Sequence, residues 1–215
     1  MNLKGLTINF LGDSITEGVG TTHESKRYFE ILKNEYGLKK VNGYGISGTR
    51  LAKQIGISEN PRFDIYFASR VDAMEDADAV VVFGGTNDFG HGNAPIGCFE
   101  DRTPDTFYGA CHDLYRKLIE KYPGKPIVIM TPLHRSAEND IRIKHGVAVT
   151  LKTYVDIIRE VAEFYSLPIC DLYATSGLQP DVPVIQEKFI PDGLHPSDAG
   201  NELIAKRLGE FLSSL

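Results

Sequence analysis

Three side chains in this sequence have the types that nucleophilic hydrolysis needs. Ser14 stands in "GDSIT", and Asp192 and His195 stand in "PDGLH". A serine hydroxyl is a weak nucleophile near neutral pH, so it needs an imidazole to take its proton and a carboxylate to fix the tautomer of that imidazole. We therefore predict Ser14 as a nucleophile, His195 as its base and Asp192 as the partner of the histidine.

Attack on a carbonyl also creates a negatively charged oxygen, which needs hydrogen-bond donors. Three donors are available: the backbone N–H of Ser14, the backbone N–H of Gly48 in "GISG" and the side-chain amide of Asn87 in "GGTND". Gly48 has no side chain that would keep a small group away from its N–H. We predict these three groups as an oxyanion hole.

Each of these residues also has a simpler interpretation. Ser14 could cap a helix that follows a strand, as could Asp13 beside it. Asn87 could bond its own backbone in a Gly-rich turn, and an Asp–His pair in a turn is often structural. The catalytic interpretation is favoured because a nucleophile, a base, an orienting acid and two separate donors occur together.

The elements that would position these residues alternate between strands and helices. Short apolar runs predict strands over 6–11, 39–42, 79–83, 127–130 and 167–172. Amphipathic patterns predict helices over 25–36, 62–74, 104–121, 149–165 and 198–215. Strands that are apolar throughout are buried on both faces, and their alternation with helices implies right-handed crossovers and a parallel sheet. We therefore predict one domain over 1–215, a flavodoxin-like three-layer α/β/α sandwich around a five-stranded parallel sheet.

In an open parallel sheet, ligands bind outside the carboxyl ends of the strands. Ser14 follows the first predicted strand, "YGISGTR" follows the second and "GGTNDF" follows the third, while "PDGLHP" precedes the last helix. Four polar, Gly-rich segments are thus expected to converge at one edge of the sheet.

One motif suggests a different chemistry. "GYGISG" (43–48) matches the G-x-G-x-x-G pattern of dinucleotide-binding proteins, with Asp64 at a suitable distance. That pattern should follow the strong first strand of a βαβ unit, whereas "LKKVN" is short, charged and second in order. Asp64 also falls in a predicted helix rather than at a strand end, so the context does not favour nicotinamide binding.

The composition of the chain limits the kinds of molecule that we expect it to bind. The chain of 215 residues has a formal net charge of -6 and no basic cluster longer than "KK", which argues against nucleic acid and anionic lipid. No apolar stretch reaches the roughly 20 residues of a membrane span, and no signal-peptide core is recognisable. Three cysteines without C-x-x-C spacing suggest neither disulfides nor a zinc site. We expect a cytoplasmic protein that acts on a small molecule, and its oligomeric state is not predicted.

In order along the chain, "GDSIT", "GISG", "GGTND" and "DGLH" resemble the four motif blocks of the GDSL/SGNH hydrolases. The blocks span residues 12–195, with Ile15 where the family name has Leu. The resemblance implies Ser14 as nucleophile, Gly48 and Asn87 as oxyanion donors, and the pair Asp192 and His195. It also implies a flavodoxin-like sandwich without a metal or an organic cofactor. Because position 16 is Thr, Ser14 does not stand in the G-x-S-x-G elbow of α/β-hydrolases.

The long segments after the third, fourth and fifth strands, at 89–105, 131–147 and 173–189, are expected to set specificity. They are mostly polar, which favours a short acyl group, such as acetyl, on a polar or carbohydrate alcohol. The candidate substrate-binding residues are Asp13, His91, His134 and Arg135, although loop residues of these types are often simply solvated. Two alternatives stay open: a lipolytic acylhydrolase, either a lysophospholipase or a thioesterase, and a carbohydrate-binding module that has lost its activity.

Overall fold

The computed structural model describes all residues from 1 to 215 and contains a five-stranded parallel sheet and a separate two-stranded hairpin. The strands are β1 (Thr7–Gly12), β2 (Lys40–Gly45), β3 (Ala79–Phe83), β4 (Ile127–Met130), β5 (Arg142–Lys144), β6 (Val147–Val149) and β7 (Ile169–Cys170). The helices are α1 (Ser14–Glu17), α2 (Tyr28–Tyr36), α3 (Thr86–Gly90), α4 (Phe107–Lys121), α5 (Leu151–Phe164), α6 (Leu172–Thr175), α7 (Pro183–Phe189) and α8 (Asp198–Ser214). Short 3₁₀ helices cover Glu24–Lys26, Pro61–Asp64 and Phe67–Ala73.

The main sheet has the order β2-β1-β3-β4-β7 with every pair parallel, which is the flavodoxin-like order predicted from the sequence. All five residues of β3 are buried, as an apolar central strand requires. Its alternating side chains enter two separate cores, with Val80 and Val82 on one face and Val81 and Phe83 on the other. The fold class is therefore confirmed.

Each core fills the space between the sheet and one layer of helices. On one face, α4, α5 and the 3₁₀ helix Phe67–Ala73 contribute side chains such as Leu114 and Ile158. On the other face, α2 and α8 contribute side chains such as Leu32 and Leu208. Because crossovers go to both faces, the molecule has the three predicted layers.

Several predicted boundaries were wrong. The helix predicted over 62–74 is instead two 3₁₀ helices separated by extended residues Ile65 and Tyr66. In the second of them the buried pairs are three residues apart, Phe67 with Arg70 and Ala68 with Val71, which matches the 3₁₀ repeat. The strand predicted over 167–172 is only Ile169–Cys170, because Asp171 caps α6.

The predicted specificity segments also contain regular structure that was not expected. Segment 131–147 includes β5 and its tight turn to β6, and segment 173–189 includes α7. The motif "GYGISG" runs through the end of β2 into a turn, and no helix begins after Gly48 to receive a pyrophosphate. The dinucleotide interpretation therefore lacks its structural context.

Candidate active site

Ser14 is delivered to the carboxyl edge of the sheet by an abrupt change from strand to helix. Strand β1 ends at Gly12, and Asp13 caps α1, its carboxylate accepting the N–H of Ile15 at 3.1 Å. Gly12 is required here because a β-carbon at this position would lie 1.9 Å from Thr16 Oγ1. Since Asp13 is the cap, the Ser14 hydroxyl is not used for that purpose, which removes the simpler interpretation of the serine.

The turn between Pro191 and Pro196 brings an imidazole to this hydroxyl. His195 Nε2 lies 3.0 Å from Ser14 Oγ, and His195 Nδ1 lies 2.6 Å from Asp192 Oδ2. Asp192 Oδ1 accepts the N–H of His195 at 2.7 Å and that of Leu194 at 2.9 Å, so the carboxylate is fixed against the ring. Partial burial opposes ionisation, but the hydrogen bonds from His195 and Leu194 prevail and lower the pKa of Asp192. The three residues predicted as a triad are in continuous contact.

Two of the three predicted oxyanion donors, Gly48 and Asn87, come from the loops after β2 and β3, and the third is the N–H of Ser14 itself. Gly48 has φ of +76°, and its N–H donates to no acceptor in the protein. The Asn87 side chain is buried at the start of α3, and its Nδ2 donates to the carbonyl of Thr49 at 3.0 Å. That bond uses one of the two amide hydrogens and leaves the other free. Thr49 follows Gly48, so this hydrogen bond ties the Asn87 side chain to the loop that carries Gly48.

Two buried charged residues that the sequence reasoning missed hold these loops. Arg70 donates to carbonyls at the C-terminal ends of β1 and β2, the last residue Gly12 at 3.0 Å and the penultimate residue Tyr44 at 2.7 Å, and burial lowers its pKa to about 10. Asp88 accepts the N–H groups of Leu51 and Ala52, both at 3.0 Å, and burial raises its pKa to about 7. Asp88 was visible in "GGTND", whereas an isolated Arg70 gave no local pattern.

The four candidate substrate-binding residues all have partners within the protein. Asp13 is the buried cap, and burial raises its pKa to about 6. Arg135 donates to the Thr86 carbonyl at 3.2 Å, and His134 Nδ1 lies 2.7 Å from Glu138 Oε1. Both ring nitrogens of His91 are also in contact with protein groups. Contact with substrate stays a prediction for each of them, and the structure gives each a structural role.

The fold and the comparisons with known proteins identify an α/β enzyme of the ester-hydrolysing class. Residues 10–203 match the model of the GDSL-like lipase/acylhydrolase family. The chain therefore belongs to that family and is a hydrolytic enzyme of the esterase type, which decides against the alternative of a carbohydrate-binding module that has lost its activity.

Solved structures support this fold over the full chain. A protein from Lactobacillus plantarum is 30% identical, with 100% of this chain and 98% of that chain covered and a TM-score of 0.82. A possible lipase from Chitinophaga pinensis is 22% identical, with 97% and 98% covered and a TM-score of 0.70. An acetyl xylan esterase is 20% identical, with 97% and 99% covered and a TM-score of 0.64. At these last two identities the likeness shows the fold alone.

Comparison with curated proteins gives no match. None of the helices combines the length and the apolar composition that a passage through a bilayer requires.

Proposed function

We propose that this enzyme hydrolyses carboxylic esters through an acyl-enzyme intermediate on Ser14, with His195 as base and Asp192 as its orienting partner. The observation that carries the proposal is the unbroken hydrogen-bonded path from Ser14 Oγ to His195 Nε2 at 3.0 Å and from His195 Nδ1 to Asp192 Oδ2 at 2.6 Å. The carboxylate accepts a hydrogen bond from His195 Nδ1–H, which keeps the ring proton on Nδ1, so Nε2 presents a lone pair to the hydroxyl.

The reaction proceeds in two balanced halves. Ser14 Oγ bonds to the ester carbonyl carbon while its proton passes to His195 Nε2, and the alcohol then leaves with that proton, breaking the carbon–oxygen bond. A water molecule next attacks the acyl-enzyme, giving its proton to His195, and the carboxylic acid leaves as Ser14 recovers the proton. In both halves the negatively charged carbonyl oxygen accepts hydrogen bonds from the N–H of Ser14, the N–H of Gly48 and the free N–H of Asn87.

For the substrate, we propose a short acyl group such as acetyl on a polar or carbohydrate alcohol. Phe63 lies against Gly48, one of the proposed oxyanion donors, since a β-carbon on Gly48 would lie 2.4 Å from its ring. The Phe63 ring also lies beside His91, with ring centroids 5.9 Å apart. The larger surface grooves are lined by neither Ser14 nor His195. None of these three grooves therefore gives a long acyl chain a channel to the nucleophile.

A lipolytic acylhydrolase remains the second candidate because of exposed apolar side chains near the same loops. Ile55, whose N–H donates to Asn93 Oδ1, and Ile57 are 64% and 92% exposed, and Ile143 on the hairpin is 66% exposed. Such residues could receive an acyl chain at the surface. Hydrolysis rates on esters with acyl groups from C2 to C12 distinguish the two: a steep fall beyond C4 supports the short-acyl proposal, and a maximum at C8 or above supports the lipolytic one.

Ser14→Ala tests the proposal itself. We expect it to abolish hydrolysis of p-nitrophenyl acetate and labelling by a fluorophosphonate, with an unchanged melting temperature. Ser25→Ala, which changes an exposed serine that contacts His23, is the matched control and should keep both properties. Hydrolysis at the wild-type rate by the folded Ser14→Ala protein would refute the assignment of the nucleophile.

A further inference from the structure

A row of hydrogen bonds leads from a buried arginine to the Asn87 amide. Arg50 Nη1 lies 3.1 Å from His91 Nδ1, His91 Nε2 lies 3.2 Å from Asn87 Oδ1, and Asn87 Nδ2 lies 3.0 Å from the Thr49 carbonyl. We propose that His91 is a positioning residue which, as its Nε2–H tautomer, holds the Asn87 amide so that its second N–H faces the developing oxyanion. This inference rests on the proposed function and assigns a task to a histidine outside the Ser14–His195–Asp192 set.

The groups at the two ends of the row, the Arg50 guanidinium and the Thr49 carbonyl, determine where the protons lie on His91 and Asn87. A guanidinium can only donate, so His91 Nδ1 must accept from Arg50 and the ring proton must lie on Nε2. A carbonyl can only accept, so Asn87 must direct its NH₂ group to Thr49 and its oxygen to His91. These two requirements are independent, and they demand the same arrangement. The amide group of Asn87 thus cannot rotate by half a turn without losing both contacts.

Arg50 is itself firmly anchored. Arg50 is only 3% exposed. Its Nη2 donates to Ser58 Oγ at 3.1 Å and lies 3.8 Å from Asp64 Oδ1. Hydrogen bonds from the Ser58 hydroxyl and N–H lower the pKa of Asp64, which keeps this carboxylate charged opposite the arginine. The row therefore begins in the loop after β2 and not in the mobile end of a surface side chain.

The surroundings of His91 keep the ring neutral. His91 is exposed as a residue, but its ring nitrogens are partly buried. That partial burial and the charges of Arg50, Arg135, Lys144 and Arg142 together lower the pKa of His91 to about 4. A neutral ring with one donor and one acceptor is the form that the row requires, and with this pKa the ring stays neutral near pH 7, its single proton engaged with Asn87. His91 is thus suited to orientation and not to acid–base chemistry.

The position of the row explains why orientation matters. Asn87 lies after β3 and Gly48 lies after β2, and the contact of Asn87 with Thr49 joins these two loops at the donor groups. Oxyanion stabilisation depends on donors that are already in place when the charge forms. Hydrogen bonds in series also polarise one another, which strengthens the remaining Asn87 N–H as a donor.

The test is a double-mutant cycle with two replacements of His91. His91→Phe keeps a ring of similar shape without hydrogen bonds, whereas His91→Gln offers an oxygen for Arg50 and an N–H for Asn87. On p-nitrophenyl acetate we expect His91→Phe to lower kcat about tenfold with KM changed less than twofold, a part of the roughly 100- to 1,000-fold cost of losing a whole donor. We expect His91→Gln to recover most of that loss.

In an Asn87→Ala background, His91→Phe should change kcat less than twofold, because the amide that it positions is gone. A full tenfold loss in that background, or a Gln variant no better than the Phe variant, would overturn the inference.

NMR of the protein labelled with ¹⁵N-histidine gives a readout without turnover. We expect Nε2–H and an unprotonated Nδ1 for His91 at pH 7, and the opposite tautomer also overturns the inference. Ser14→Ala, assayed in parallel, reports separately on the proposed function.

Discussion

Replacing Asp192 by Asn tests how the exposed carboxylate supports the histidine. An asparagine oxygen can still accept the N–H groups of Leu194 and His195, now 2.9 and 2.7 Å from Asp192 Oδ1, so the turn should be retained. Its NH₂ group would then face His195 Nδ1 and donate to it. This favours the tautomer with the proton on Nε2, which donates to Ser14 Oγ and cannot accept the serine proton.

The magnitude follows from the geometry. Opposite charges about 4 Å apart interact by about 1 kcal/mol in water and about 4 kcal/mol at an effective dielectric constant near 20. The Asp192 side chain is 55% exposed and the His195 side chain 18% exposed, so we take an intermediate loss of about 2–3 kcal/mol, roughly 30- to 150-fold in rate. The unfavourable tautomer adds about 1 kcal/mol. The total is a decrease of roughly 100- to 1,000-fold, below the roughly 10⁴-fold cost of the same change in a buried triad.

The assay is kcat/KM on p-nitrophenyl acetate at pH 7.5, with the melting temperature measured for each protein. Asp105→Asn is the matched control, because Asp105 is 61% exposed and makes its ion pair with Lys53. We expect no change in that variant. A decrease of less than about fivefold in Asp192→Asn, with the fold intact, would refute the role given to the carboxylate.

Two further predictions concern the residues around the nucleophile. Phe63→Ala should open the space beside Gly48 and raise the ratio of C4 to C2 ester hydrolysis about tenfold, since C4 has two more CH₂ groups and each contributes about 0.8 kcal/mol when buried. The control is Phe99→Ala, in the aromatic cluster with His112 and Phe164, which should leave this ratio unchanged. Asp13, with a pKa raised from 3.8 to about 6, binds more protons in the folded state, so stability falls as pH rises from about 4 to about 6. In urea unfolding at pH 4 and pH 7, Asp13→Asn should remove about 3 kcal/mol of that decrease in the free energy of unfolding. An identical pH dependence in both proteins would contradict the raised pKa of Asp13.

The sequence predicted the central strands because each is marked by a short apolar run within its own segment of the chain. β1, β3 and β4 are apolar runs bounded by turn residues, and the order of the four motif blocks indicated which residues would meet. β2 was found only in part, over 39–42 against Lys40–Gly45, because it is an edge strand with no fully buried residue and contains two glycines. An edge strand gives a weak hydrophobic pattern.

The supporting residues of the site could not be found in this way, because their partners are backbone groups far along the chain. Arg70 binds the carbonyl of Gly12, 58 residues away, and no local spacing reports such a contact. The hairpin of β5 and β6 is different, because its turn residues are recognisable in the sequence. His145 and Gly146 both have positive φ values, 48° and 83°, as a two-residue type I′ turn requires, and "HG" between "RIK" and "VAV" could have indicated it.

The strand order explains why the site forms between β1 and β3. From β1 the chain crosses to α2 on one face of the sheet, and from β3 it crosses to α4 on the other, so a crevice opens where the two connections diverge. The His195 turn precedes α8 and approaches Ser14 from the α2 face. The donor loops are instead tied to the opposite face, where Asp88 and Arg70 fix them to buried backbone groups. In the proposed mechanism the base and the two donors Gly48 and Asn87 therefore belong to different layers of the sandwich, and an ester carbonyl placed between them would meet these donors on one side and a more exposed Asp–His turn on the other.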